Sequence, residues 1–317
     1  MRLAVTVQPL SAPISSPPTG SGGVEPTATT RGLGAVLADY VSLTKPRLSG
    51  LVLFTAAPGM WLAGKSLDWK TWVFLMVGTA GTVGAANTIN CVIERESDRF
   101  MARTAKRPLP GQRLESKHAL VFAVVLGSIS LPLLALGVNW LTGVLGALAL
   151  ASYAFVYTPM KSRTHWAMQV GAFPGALPPL MGWTAATGRI ELPGLVLFAI
   201  LFFWQLPHFI AIALFRKSEY QAAGLTSLPL EKGDDTARLH AVGYVAVLWP
   251  VSLLPFFVGV AGWLYLGVAC VLGAGFLGVG VQGWLQKRGA DWARRFFLVS
   301  LVYLTGLFAA LGLDSRP

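Results

Sequence analysis

Charge is what this sequence has least of. Only 12% of its 317 residues are Asp, Glu, Lys or Arg, whereas 54% are hydrophobic and the mean hydropathy is +0.60. A soluble domain carries roughly a quarter charged residues, so the shortage excludes an ordinary soluble enzyme and implies a polytopic membrane protein. Acids are scarcer than bases, 14 Asp and Glu against 25 Lys and Arg, for a net charge of +11. In a soluble chain that excess would suit nucleic acid. Here the charges lie in short loops between apolar runs, where membrane orientation explains them, and no nucleic-acid partner is expected. With only Cys91 and Cys270, both in apolar segments, neither a disulfide framework nor a cysteine metal site is expected. His118, His165 and His240 lie near loop ends without metal-ligand spacing. The first thirty or so residues contain no apolar run long enough for a signal peptide. Their Pro, Ser, Thr and Gly predict a disordered tail over 1–34, ahead of a single membrane domain over 35–317.

Long hydrophobic runs are what the chain does have. A segment at 37–49, LADYVSLTKPRLS, reads as an interfacial helix with Lys45 and Arg47 at the boundary and Pro46 in a first-turn position. A first span follows at about 50–63, interrupted by Pro58-Gly59. The second runs from about 71 into a polar stretch that begins at Asn87. Its Gly78, Gly81, Gly84, Ala85 and Ala86 leave one flank nearly bare, for close approach of another helix or a flat ligand. Further runs fall near 119–138, 140–157, 167–187, 193–214, 241–260, 263–285 and 296–313, with a very short turn at Asn139 between the third and fourth. The expectation is an all-α integral membrane protein with nine spans. Alternating nine spans across a bilayer places all but four of the 25 Lys and Arg on the side of the N-terminus, which is therefore predicted to be cytoplasmic.

The unusual polar groups gather on that same side. The stretch NTINCVIERESDRFMARTAKRPLP carries Asn90, Glu94 and Asp98 at intervals of four, and steps of four drift only about 40° around a helix, so the three form one stripe. Two carboxylates one turn apart repel, so something positive should lie against them. Arg99, Arg103, Lys106 and Arg107 follow at once, a cluster suited to phosphate oxygens. Carboxylates beside a basic loop at a membrane edge suggest a metal-bridged diphosphate, because Mg²⁺ takes one or two protein carboxylates and completes its shell with phosphates and water. Spacing alone allows a plainer outcome, Arg95 pairing with Asp98 and Glu96 with Arg99 in a salt-laced helix end. The fourth span ends in Tyr157, Lys161 and Arg163. The sixth contains His208 after Pro207 and ends in Arg216, Lys217, Glu219 and Tyr220. Polar ends of three alternate spans can converge on one cavity open to the interface.

The run NxxxExxxDxxMxRTxxRPLP, here Asn90, Glu94, Asp98, Met101, Arg103, Thr104, Arg107, Pro108, Leu109 and Pro110, resembles the first signature of the UbiA superfamily of intramembrane prenyltransferases. DYVSLTKPR with GMWLA, YTPMKSRTHWAMQVGAFPGALPPLMGW and FFWQLPHFIAIALFRKSEYQAAG extend the likeness over nearly the whole chain, in order, and narrow it to the haem branch, the protohaem IX farnesyltransferases (haem o synthases). The resemblance implies nine transmembrane helices around a central cavity. It also implies transfer of farnesyl from farnesyl diphosphate to a vinyl group of haem b, with water supplying a hydroxyl, to give haem o.

By position, the resemblance implies that Asn90, Glu94 and Asp98 hold Mg²⁺ and with Lys161 form the catalytic set. Arg103, Arg107, Tyr157, Arg163, His208, Arg216, Lys217 and Glu219 are then expected to bind substrate, His208 as a haem contact or as a partner for a carbonyl freed by Pro207. Relatives that prenylate quinone precursors usually carry a second aspartate-rich motif where this chain has RKSEYQAAG, with Glu219 as its only acid; that difference argues against a phenol-type acceptor. Two alternatives are kept: a UbiA-type enzyme acting on an aromatic quinone precursor, and a membrane transporter lined by the same charges. The expected surroundings are the lipid bilayer of the cell inner membrane, with a downstream haem-modifying membrane enzyme as a partner.

Overall fold

The computed structural model of the protein describes residues 32–64 and 68–315; the tail expected over 1–34 falls mostly outside them, and Leu33 already begins a helix. Among the described residues there is no β-strand, only an isolated bridge between Ala261 and Ser315. Among the described residues nine long helices make up the fold. They are Pro46–Leu62, Trp69–Ile93, Ser116–Gly137, Trp140–Met160, Ala167–Thr187, Leu192–Phe215, Asp234–Phe257, Trp263–Leu285 and Ala290–Leu313.

Seven of the nine are long and apolar enough to cross a membrane by themselves. The first has only 17 residues and the fifth contains Pro174, Pro178 and Pro179, yet both stand within the bundle. Successive spans pack side by side, the fifth also lies along the first, and the ninth returns to the sixth and touches the first. The chain is a multi-pass integral membrane protein.

Local chemistry explains most boundaries. Asp68 accepts the Lys70 N–H at 3.2 Å to start the second span, and Asn139 accepts the Thr142 N–H at 2.9 Å to start the fourth, so a two-residue turn suffices after Gly137. The expected break at Pro58-Gly59 does not occur. The first span runs through Pro58, and Gly59 lies so close to the Pro179 carbonyl of the fifth span that a Cβ there would collide with it. The interfacial helix is Leu33–Leu43 and stops before Pro46, which instead opens the first span. Leu33, Leu37 and Val41, one turn apart, face outward, while Asp39 turns inward to pair with Arg113 at 2.7 Å. The bare flank of the second span is a helix contact, not a ligand surface: Gly78 lies against Leu134 and Gly81 against Ser130, both of the third span. The seventh and ninth spans begin several residues earlier than hydropathy indicates, since their first turns hold Asp234, Asp235 and Asp291, acids suited to a helix N-terminus.

Candidate active site

One cavity of about 300 Å³ opens where the first span begins and the second, fourth and sixth end. The helix of the second span ends at Ile93, but its hydrogen-bond path continues: the Glu94 N–H donates to the Asn90 carbonyl (2.9 Å) and the Asp98 N–H to the Glu94 carbonyl (2.8 Å). The stripe therefore forms as expected, and Glu94 and Asp98 line the cavity.

Each acid meets a cation from elsewhere. Lys161 Nζ pairs with Glu94 Oε1 at 2.8 Å, and the carboxylate, which lines the cavity, keeps lone pairs beyond that contact. Arg107 Nη1 donates to Asp98 Oδ2 at 2.8 Å. The pairing of Arg95 with Asp98 does not form; Glu96 instead takes both Arg95 and Arg99 on the exposed face. Burial disfavours the charge on Glu94, but Lys161, Lys45 and Asn90 together outweigh it and hold the carboxyl below the usual carboxylate range. Burial likewise opposes the ammonium of Lys161, yet Glu94 keeps it well above its ordinary value.

The fourth span reaches the cavity through a π-helical turn at Ser152–Tyr157. Such turns interrupt the regular ladder and recur at functional sites. Here Tyr153 and Tyr157 both line the cavity, their ring centroids 5.1 Å apart, with Lys161 Nζ 4.8 Å from the Tyr157 centroid. The opposite wall is apolar, with Phe209, Ile210, Ile212 and Ala213 of the sixth span and Met168 of the fifth. Leu225, Thr226, Ser227 and Leu228 complete the lining. This segment is tied to the fourth span, since the Thr226 N–H and Oγ1 both donate to the Lys161 carbonyl, at 2.8 and 3.0 Å. Glu231 just beyond it accepts the His165 N–H at 2.7 Å and lies 2.6 Å from His165 Nδ1.

Of the expected residues, the structure gathers Glu94, Asp98, Arg103, Arg107, Tyr157 and Lys161 at the cavity. Asn90 is fully buried just behind it, its Oδ1 accepting from Lys45 Nζ (2.5 Å) and its Nδ2 donating to Thr158 Oγ1 (3.1 Å). Arg163 is exposed and outside the lining. Arg216 is paired with Glu219 at 2.7 Å and Lys217 with Asp234 at 2.7 Å, also outside it. His208 packs between the sixth and ninth spans, its Nδ1 2.7 Å from Ser300 Oγ and its ring against Trp204 and Phe297. Lys45, Tyr153 and His165 line the cavity without having been singled out for it. Only the KPR turn, a lysine beside a span-opening proline, offered a sequence signal for the first of them.

Residues 52–302 match the model of the UbiA prenyltransferase family. A protoheme IX farnesyltransferase of Myxococcus xanthus is 56% identical over 290 residues, covering 92% of this chain and 99% of the relative. The chain belongs to the UbiA prenyltransferase family. Another protoheme IX farnesyltransferase, of Sorangium cellulosum, is 54% identical over 74% of this chain and 84% of its own length. Among solved UbiA-type folds, a digeranylgeranylglyceryl phosphate synthase superposes with a TM-score of 0.77 at 17% identity, covering 88% of this chain and 98% of that one. A UbiA homologue from Archaeoglobus fulgidus, bound to GPP and Mg²⁺, superposes with a TM-score of 0.59 at 16% identity, over 86% of this chain and 99% of that one. The protein is thus a prenyltransferase with the UbiA fold.

Proposed function

We propose that the protein transfers the farnesyl group of farnesyl diphosphate to a vinyl group of haem b, with addition of water, giving haem o and diphosphate. The observation that carries the reading is the cavity itself: two carboxylates and four cations, Lys45, Arg103, Arg107 and Lys161, beside an apolar wall. The names of the relatives at 54–56% identity support the choice of donor and acceptor. The clustering of Lys and Arg on the side of the N-terminus supports a cytoplasmic opening of the cavity in the cell inner membrane.

The donor set fits Mg²⁺. Glu94 and Asp98 stand one turn apart on the wall, each with carboxylate lone pairs beyond the one its cation takes. These two would hold the ion, which when bound supplies positive charge to the leaving diphosphate, while Asn90, expected to join them, turns its Oδ1 to Lys45 Nζ and its Nδ2 to Thr158. The chain's own groups do the rest. Breaking the allylic C–O bond puts negative charge on diphosphate, where Arg103, Arg107 and Lys161 meet it. Positive charge left on the farnesyl carbon faces the rings of Tyr153 and Tyr157, and the sixth-span wall keeps bulk water away. Arg163, Arg216, Lys217 and Glu219, outside the lining, are assigned to the approach, and His208 to the sixth–ninth span contact.

Incubating the purified protein with Mg²⁺, farnesyl diphosphate and haem b should yield farnesylated haem by mass, with one diphosphate released per product. Prenylation of an aromatic quinone precursor in place of haem would favour the other acceptor class. Movement of substrate across vesicles without diphosphate release would favour a transporter.

A further inference from the structure

Lys45 adopts a backbone conformation that lysine seldom visits. At φ 51° and ψ 63° it lies in the left-handed region, between the N-terminal helix and Pro46 of the first span. Polar side chains hold the turn that contains it: Asn87 Nδ2 and Ser49 Oγ both donate to the Thr44 carbonyl, at 3.1 and 2.8 Å. Glycine would take this conformation without strain. What lysine adds is an ammonium that lines the cavity.

The surroundings of that ammonium point to an anion. Lys161 and Arg107 each have a carboxylate at 2.8 Å, but among the described residues none stands within ion-pair distance of Lys45. Its one hydrogen bond goes to a neutral amide, Asn90 Oδ1 at 2.5 Å, leaving two N–H groups for something else. Donor polarity then fixes the neighbouring groups. An ammonium can only donate, so Asn90 presents oxygen to it and turns Nδ2 to Thr158 Oγ1 (3.1 Å). Thr158 accepts there and donates onward to the Tyr153 carbonyl (2.8 Å) in the π-helical turn.

We propose that Lys45 is a ligand of the substrate's diphosphate, and that Asn90 is a positioning residue that aims it. The inference rests on the reading that this cavity takes a prenyl diphosphate. Lys45 supplies charge with no carboxylate at ion-pair distance among the described residues, and it reaches the cavity from the first span, whereas Arg103 and Arg107 follow the second and Lys161 the fourth. The leaving group is thereby held from three directions.

The test is calorimetric binding of an unreactive thio-analogue of farnesyl diphosphate to the full-length protein in detergent, with and without Mg²⁺. Loss of a charge-assisted hydrogen bond in Lys45→Met should weaken binding about ten- to hundredfold, while Lys45→Arg keeps most of it. Lys45→Gly separates charge from structure. It relieves the backbone but, like Lys45→Met, leaves the buried Asn90 Oδ1 without that donor, so its thermal midpoint should lie above that of Lys45→Met while it binds as poorly. Asn90→Asp places a carboxylate on the ammonium and should weaken binding even without Mg²⁺, whereas a residue serving only the metal would show its effect only with Mg²⁺ present. Folded Lys45→Met and Lys45→Gly proteins that bind like the parent would overturn the proposal, as would an Asn90→Asp effect confined to Mg²⁺. If the parent protein itself neither binds the analogue nor makes farnesylated haem, the functional reading fails and this inference with it. If the parent does both and the Lys45 variants are unchanged, only this inference fails.

Discussion

Glu94→Gln keeps the shape of the side chain and removes one charge from the centre of the cavity. The side chain is 10% exposed and stands 2.8 Å from Lys161 Nζ, whose side chain is 25% exposed. Taking one member out of a buried ion pair costs about 3–5 kcal/mol when the remaining charge is stranded. Lys161 is not stranded here, because it keeps the Tyr157 ring at 4.8 Å and opens on the cavity. The expected loss of stability is therefore smaller, about 1–3 kcal/mol. Loss of turnover should be larger in effect, about 10²–10³-fold in kcat, the usual consequence of deleting one preorganised electrostatic group. A second change separates the two. Adding Lys161→Met removes the leftover charge and should restore the thermal midpoint without restoring turnover. The assay pairs thermal unfolding in detergent with haem farnesylation at saturating substrates. Turnover within about threefold of the parent in folded Glu94→Gln would refute the assignment, and so would recovery of turnover in the double variant.

Three further outcomes are expected. A Cβ at Gly171 would stand 2.5 Å from the Tyr157 ring, so Gly171→Ala should displace the ring from its place in the cavity wall, costing about 1–3 kcal/mol by overpacking and lowering kcat; an unchanged midpoint and rate would contradict this packing. Thr158→Val removes the acceptor of Asn90 Nδ2 and the donor to the Tyr153 carbonyl, and should cost about 1–3 kcal/mol in thermal unfolding and weaken binding of the diphosphate analogue less than Lys45→Met does. The side-chain hydrogen bond from His165 holds the Glu231 carboxyl below the usual carboxylate range. Its contribution is present above the unfolded-state value and lost as pH falls through the lowered folded-state value. Protection factors of the amides over 225–232, taken against the intrinsic rate at each pH, should therefore fall at acid pH in the parent and stay flat in Glu231→Gln.

Hydropathy and period three-to-four patterning carried the fold a long way, because a bilayer demands apolar lengths and a Lys/Arg bias that one sequence displays openly. The fifth and eighth spans run over the residues expected of them. The first did not, since Pro58 and Gly59 read as a break until the Pro179 carbonyl is seen against them. For the site, the stripe of Asn90, Glu94 and Asp98 was legible from spacing, but its partners were not. Lys161 lies 67 positions from Glu94, and Lys45 45 from Asn90, separations that only the tertiary structure closes. Arg216 and Glu219, three apart, had the spacing of a helical ion pair, yet nothing in that spacing said that they would stand outside the cavity. His208 illustrates the same limit, because its partner Ser300 lies on the ninth span, 92 residues away.

Lys161 faces two ways. Its side chain answers Glu94 within the chamber, while its carbonyl carries Thr226 and so anchors the segment 225–228 that completes the lining. Any shift of that segment tugs on the very residue that sets the charge balance beside it, which makes the shape of the chamber and the electrostatics inside it a single mechanical problem for the molecule.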